Sequence, residues 1–327
     1  MAWTRSAALA RGLLVACLAA ACGDGDPPAF LDDGTAYLEA LPERLSEVGL
    51  YPDAPDLART HPAVVRYTPR FPLWTNGSFK SREVALPEGG VVTFEGEQPV
   101  FPVGTLLFKT FGYASGPVET RVMRREADGE WSYAVYLWEG NDATLRDITL
   151  PLAIPVADAG ERFDHETPSR RQCVTCHESD PNPVLGFDRL QLSDELGDLA
   201  DQGLFATAPE GVSLGGDAGD RAILAYFVGN CVHCHNGEPG LNNGFDLRPD
   251  VARANLVGQP TMASGVPPGL RVAPGDADAS VIVQALAQPD GSFAMPPLGV
   301  QRADAEFLTT LRAWIDEMTP MAPPENP

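Results

Sequence analysis

The sequence predicts an α+β chain: an antiparallel β-sandwich or barrel-like domain followed by a mainly α-helical region. Three observations predict it. Between about residues 62 and 155, short runs rich in β-branched and aromatic residues alternate with turn signals, a pattern of antiparallel strands. From about residue 165 onward, apolar residues recur at helical spacing. That change coincides with the first of two alike pentapeptides, Cys173-Val174-Thr175-Cys176-His177 and Cys231-Val232-His233-Cys234-His235. A length of 327 residues allows two domains, and 32 glycines and 31 prolines predict many loops.

Residues 1–21 read as an export signal, with Arg5 and Arg11 as its positive start, an apolar stretch from Gly12, and Ala19-Ala20-Ala21 as a small-residue cleavage site. The apolar stretch is too short to cross a bilayer. Leu18-Ala19-Ala20-Ala21-Cys22 resembles a bacterial lipoprotein box, which implies lipid on Cys22 and a tether from 22 to 35. A box ending at Cys17 would leave only Gly12–Ala16 as apolar core, so Cys22 is preferred, with plain secretion as the alternative.

The β-rich domain is placed at 36–160. It opens with a short helix near 36–49, with Leu38, Leu41 and Leu45 on one side and Pro42 breaking or starting it. Strands follow at Val91–Phe94, Thr105–Phe111 and Trp131–Trp138, with Pro87-Glu88-Gly89-Gly90 and Asp128-Gly129 as turns. No histidine lies between 62 and 155, which excludes a histidine-built copper or zinc site there. Trp74, Trp131 and Trp138 are read as core rather than as the wall of a ligand groove.

Residues 161–216 hold the first pentapeptide and 217–327 the second. Helices are predicted at about 193–203 (Leu192, Leu196, Leu199 on one face), at 218–229 leading into Cys231, from Asp278 (burying Val281, Ile282, Leu286), and at 303–318 (Phe307, Leu311, Trp314, Ile315 inward).

Each pentapeptide spells C-x-x-C-H, the attachment signal for a c-type haem. Cysteines three apart on a helical turn share a face, separated by roughly 4.5 Å of rise, so both sulfurs can reach two vinyl groups along one porphyrin edge. The following histidine then becomes the proximal iron ligand. Cys173, Cys176, Cys231 and Cys234 are thus read as covalent attachment points for two haem c groups, with His177 and His235 on the irons. A zinc site is the first rival, but zinc ribbons space their pairs by about 15–20 residues and need no histidine after each. A thioredoxin-like disulfide is the second, but would carry one such pair. With Cys17 discarded and Cys22 lipidated, no cysteine remains for a structural disulfide.

The stretch 218–318 looks like a small class I cytochrome c: a helix, the motif, a loop methionine and a terminal helix. The methionine is Met295, followed by Pro296 and Pro297, which stiffen the loop. It is read as the distal ligand of the second haem, a thioether that raises the potential; gap-filling is the alternative. Further stretches carry a wider resemblance: Phe71-Pro72-Leu73-Trp74, Phe101-Pro102-Val103-Gly104-Thr105, Glu119-Thr120-Arg121, Leu185-Gly186-Phe187, and Pro274-Gly275-Asp276 through Ser280. Over roughly 60–318 the chain resembles a family of dihaem c-type cytochromes, mostly bacterial envelope lipoproteins often encoded beside a parallel β-helix protein. The resemblance implies c-haem binding and electron transfer.

The first haem has no methionine or histidine between His177 and Asn230 to serve as a sixth ligand. His61, His165, Met123 and Met262 are candidates, and an open position is the alternative; His233, inside the second motif, is expected to point away. Arg170 and Arg171 are read either as partners of a haem propionate or as solvated surface.

The net charge of −22, taken to −24 by loss of Arg5 and Arg11, makes nucleic acid an improbable partner. A redox partner protein in the periplasm suits it, as does plain solubility. The function expected is a membrane-anchored electron relay in the cell envelope, on the outer membrane, rather than an enzyme. The alternatives are a dihaem peroxidase-like enzyme with an open first haem, and a cytochrome subunit serving a periplasmic dehydrogenase.

Overall fold

A computed structural model describes residues 29–238 and 245–320. The export signal, Cys17, Cys22 and the first half of the tether lie outside the described residues. After a 3-10 turn at Phe30–Asp32 comes α1 (Leu45–Val48). The strands are β1 (Val64–Arg66), β2 (Phe79–Ala85), β3 (Thr93–Glu95), β4 (Gln98–Val100), β5 (Leu106–Tyr113), β6 (Gly116–Arg125), β7 (Trp131–Glu139), β8 (Asp142–Arg146), β9 (Leu152–Asp158) and β10 (Glu161–Thr167). The helices continue with α2 (Arg170–His177), α3 (Leu196–Asp201), α4 (Ala218–Asn230), α5 (Ala252–Leu256), α6 (Val281–Ala287) and α7 (Ala305–Asp316).

Six strands form one antiparallel sheet in the order β1-β2-β5-β6-β7-β8, while β3–β4 and β9–β10 pair as separate hairpins. Side chains alternate between faces along each strand. Ala85, Leu106, Phe108, Val122 and Tyr136 meet Leu31, Tyr37, Val48 and Leu50 of the N-terminal segment on one face. Val84, Leu107, Met123, Tyr133 and Val135 take the other, against Cys173, Phe187, Leu192, Leu199 and Leu204. A third core joins α4, α6 and α7 through Ile223, Phe227, Val283, Phe307, Leu311 and Ile315, with the rings of Tyr226 and Phe307 stacked at 3.4 Å.

Two expectations are corrected. The β-sandwich or barrel is a single sheet, because its order nearly follows the sequence and leaves β1 and β8 as edges among the described residues. Its second layer is not another sheet but short helices and loops: the N-terminal segment on one face, residues 173–205 on the other. The second region is likewise not mainly α-helical: the main regular element is the six-stranded sheet, helix makes up 20 % of the described residues, and the longest helix among them has 13 residues. Periodicity located the helices but overstated them. The helix expected at 193–203 shrinks to α3, stopped by Gly203 at φ 83°, a left-handed backbone that favours glycine. The helix expected at 36–49 shrinks to the four residues of α1, ended by Gly49 in the same conformation, and Leu38 is exposed.

One segment ties sheet to helices. Trp74 N–H donates to Asn230 Oδ1 at 2.6 Å, and Asn230 Nδ2 donates to the carbonyls of Pro72 and Tyr226. A Cβ on Gly229 would stand 2.6 Å from the Phe71 carbonyl oxygen, so the close approach of Phe71–Trp74 requires glycine there. The same segment reaches the loop after α6: Trp74 Nε1 donates to the Arg302 carbonyl, and Asn76 Oδ1 accepts from Gln301 and Arg302 N–H.

Candidate cofactor site

The first motif sits on α2, started by a capping box in which Ser169 Oγ accepts from Gln172 N–H and Gln172 Oε1 accepts from Ser169 N–H. That start sets Cys173 and Cys176 one turn apart and puts His177 at the helix end. The second motif follows α4 as a tight turn, with His235 N–H donating to the Cys231 carbonyl at 2.8 Å.

Both motifs line one cavity of about 640 Å³, together with Leu107, Tyr133, Phe245, Leu256 and Ile282. That volume lies in the range of cofactor-sized pockets. The two inner cysteines meet within it: the Cys176 and Cys234 thiols are in hydrogen-bond contact. Among the four motif cysteines Cys173 is buried, and Cys176, Cys231 and Cys234 are half-buried. The contact with Cys234, opposed by burial, holds Cys176 at about 7, and the Cys234 thiol is pushed up by the same contact. Burial pushes Cys231 to about 12 and raises Cys173.

The His177 ring is fixed by a hydrogen bond from its inner nitrogen. Its Nδ1–H donates to the Pro183 carbonyl at 2.7 Å, which fixes the tautomer and leaves Nε2 as the electron-pair donor. Burial, against the pull of Pro183, brings the imidazole down to about 4, so it is neutral near pH 7. The Tyr133 ring packs 5.6 Å from it, and the Tyr133 hydroxyl is buried with no hydrogen-bond partner among the described residues. His235 is held differently, by stacking on Phe245 at 4.5 Å. Its buried Nδ1 makes no well-formed hydrogen bond among the described residues, although the Phe245 backbone lies close enough to offset some of the lowering by burial.

The sixth-ligand candidates separate cleanly. His165 is buried away from the cavity, its Nε2–H donating to Glu119 at 2.9 Å and its Nδ1 accepting from Tyr113 at 3.0 Å. His61 lies outside the cavity, accepting from Ala63 N–H and donating to Asp32. With both ring nitrogens occupied, neither is placed to reach an iron at His177. Met123, Met262 and Met295 all line the cavity. Met123 is buried on β6 beside Tyr133, Met262 is 81 % exposed at the rim, and Met295 is 38 % exposed in the loop that Trp74 and Asn76 hold. His233 also lines the cavity rather than leaving it, and burial lowers it to about 4.

The residues fit the group the motifs imply: paired thiols, a neutral imidazole beside each pair, and apolar walls. They do not fit zinc, because no three His, Cys, Asp or Glu side chains converge among the described residues. Arg170 and Arg171 are exposed and do not line the cavity, which leaves them the solvated reading.

Sequence reasoning missed the sheet wall. Arg82 on β2, Lys109 on β5 and Arg121 on β6 are direct cross-strand partners, and all three line the cavity. Arg121 is paired with Glu119. The signal was present in the composition, since Lys80 and Lys109 are the only lysines of the chain. Trp74, expected in the core, also lines the cavity.

No protein-family model, no curated protein and no solved structure matches the chain.

Proposed function

We propose that the chain is a dihaem c-type cytochrome that relays electrons in the bacterial envelope, anchored by lipid on Cys22. One observation carries the reading: two C-x-x-C-H motifs 58 positions apart in sequence face each other across one cavity, with Cys176 and Cys234 in contact. Thioethers on neighbouring sulfurs would bring two porphyrin edges together, which is what a two-step relay needs.

Haem, when bound, supplies a one-electron iron couple. The chain supplies the rest. Cys173 and Cys176, and Cys231 and Cys234, would hold it covalently; His177, oriented by Pro183, and His235, oriented by Phe245, would each give an imidazole nitrogen. Met295 would give its thioether to the second iron, and the apolar wall would exclude water and lower the energy of reorganisation on electron transfer. A redox partner protein would dock where the cavity opens.

The test is the electron paramagnetic resonance of the fully oxidised holoprotein. Spin–spin interaction between two ferric irons is expected, and two magnetically isolated signals would contradict the relay.

The second reading, a peroxidase-like enzyme, gains from one observation: His61 and His165 are both committed elsewhere, leaving the cavity's thioethers, His233 or an open position for an iron at His177. A high-spin ferric component that binds cyanide would support it. Two low-spin signals would exclude it.

A further inference from the structure

The sheet face that walls the cavity carries a row of three cations, of which only Arg121 has an ion-pair partner among the described residues. Arg82 pairs with Lys109 across β2–β5, and Lys109 with Arg121 across β5–β6. Like charges directly opposite on a sheet destabilise it, and a buried cation left uncompensated destabilises it further. The nearby carboxylates do not meet this need. Glu119 spends its Oε1 on Arg121 and His165 while its buried Oε2 has no hydrogen-bond partner among the described residues, and Glu166, which also lines the cavity, accepts from Gln172 Nε2; neither pairs with Arg82 or Lys109. Glu83 lies on the other face of the sheet, where it accepts from Tyr51 and Arg66. Arg82 is only 6 % exposed, and neither its guanidinium nor Lys109 Nζ has a hydrogen-bond or ion-pair partner among the described residues; Lys109 rests on the Phe111 ring at 5.0 Å. In a chain of net charge −22, unpaired cations turned inward are not there for solubility.

We propose that Arg82 and Lys109, with Arg121 beside them, form a carboxylate-binding site in the wall of the cavity. The guanidinium fork suits two carboxylate oxygens, and the ammonium adds a point charge. Burial, reinforced by Arg82 and Arg121, drives Lys109 well below the ordinary ammonium range; a bound anion reverses that push and keeps the row charged. Two sources carry this chemistry: the propionates of a porphyrin held at the motifs, which rests on the function proposed above, and a free small carboxylate, which does not.

The experiment uses full-length protein matured in a host that attaches c-type haem, with Arg82→Gln and Lys109→Met beside the wild type. Lys109→Met keeps the stem and removes the charge, so it carries the test if Arg82→Gln fails to accumulate. Acetate is titrated by calorimetry, and the propionate-bending band is read by resonance Raman. Saturable acetate binding, weakened at least ~10-fold in each variant as the loss of a charged hydrogen bond implies, identifies a free carboxylate. No acetate binding, with a shifted propionate band in each variant, identifies the porphyrin's own carboxylates. Acetate unbound and the band unmoved overturns the site. Protein that carries no porphyrin counts against the cytochrome reading alone, because the acetate titration still decides the site.

Discussion

The two motifs share a cavity but are built in opposite ways. The first is set against a sheet: α2 packs on β7, His177 is tied to Pro183 and faces Tyr133, and a cationic row spans the strands beside it. The second is set among short helices and loops: His235 stacks on Phe245, and Met295 comes from a loop held by Trp74 and Asn76. A sheet fixes side chains through register, whereas a loop offers a ligand that must itself be held. Strand residues therefore supply charge and packing beside the first motif, and a held loop brings the Met295 thioether to the shared cavity.

The largest effect expected is loss of one whole group. Cys231→Ala with Cys234→Ala removes the second haem and leaves the first attached, and Cys173→Ala with Cys176→Ala does the reverse. Intact mass of each double variant checks this, and loss of both haems from either would break the independence of the two sites. Next, Met295→Ala leaves both haems attached but lowers one potential by on the order of 100 mV, within the ~0.8 V that axial ligands span. A redox titration in which neither potential moves would remove Met295 from the second site.

Acid should weaken the sheet-built side first. Burial raises the Glu119 carboxyl, but Arg121 and His165 outweigh it and hold it at about 2, below its ordinary 4.5. A lowered folded-state value means stability that is present above about pH 4.5 and lost as pH falls toward 2, amounting to about 3 kcal/mol. Denaturation midpoints of wild type and Glu119→Gln across that window check it; the variant should lack this part of the dependence. The smallest effect falls on the junction. Asn230→Ala removes the acceptor of the Trp74 N–H and should cost ~1–3 kcal/mol, with the Met295 site loosening more than the His177 site.

The chemistry was legible where it is local. C-x-x-C-H spacing picked out cysteines and histidines that line one cavity, and helical periodicity located α4 and α7 to within about two residues. The alternation of strand residues located β5 and β7. What escaped depends on contacts between distant residues. Nothing in the sequence pairs Arg82 with Lys109, because cross-strand register is fixed by the whole sheet. His165 looked available as a ligand because Glu119 and Tyr113, its actual partners, lie 46 and 52 residues away. His233 was expected to point outward on the geometry of an isolated motif, and the neighbouring motif turns that surface into an interior. The helical content was overstated because periodicity does not register where a glycine or an irregular loop ends each helix.

The central claim is that a porphyrin is joined to the polypeptide at each of the two motifs. Intact-mass measurement of the protein exported from a haem-attaching bacterial host tests it directly. The expected mass is that of the processed chain with its Cys22 lipid plus two haems, retained after denaturation. The mass of the chain without haem would contradict it.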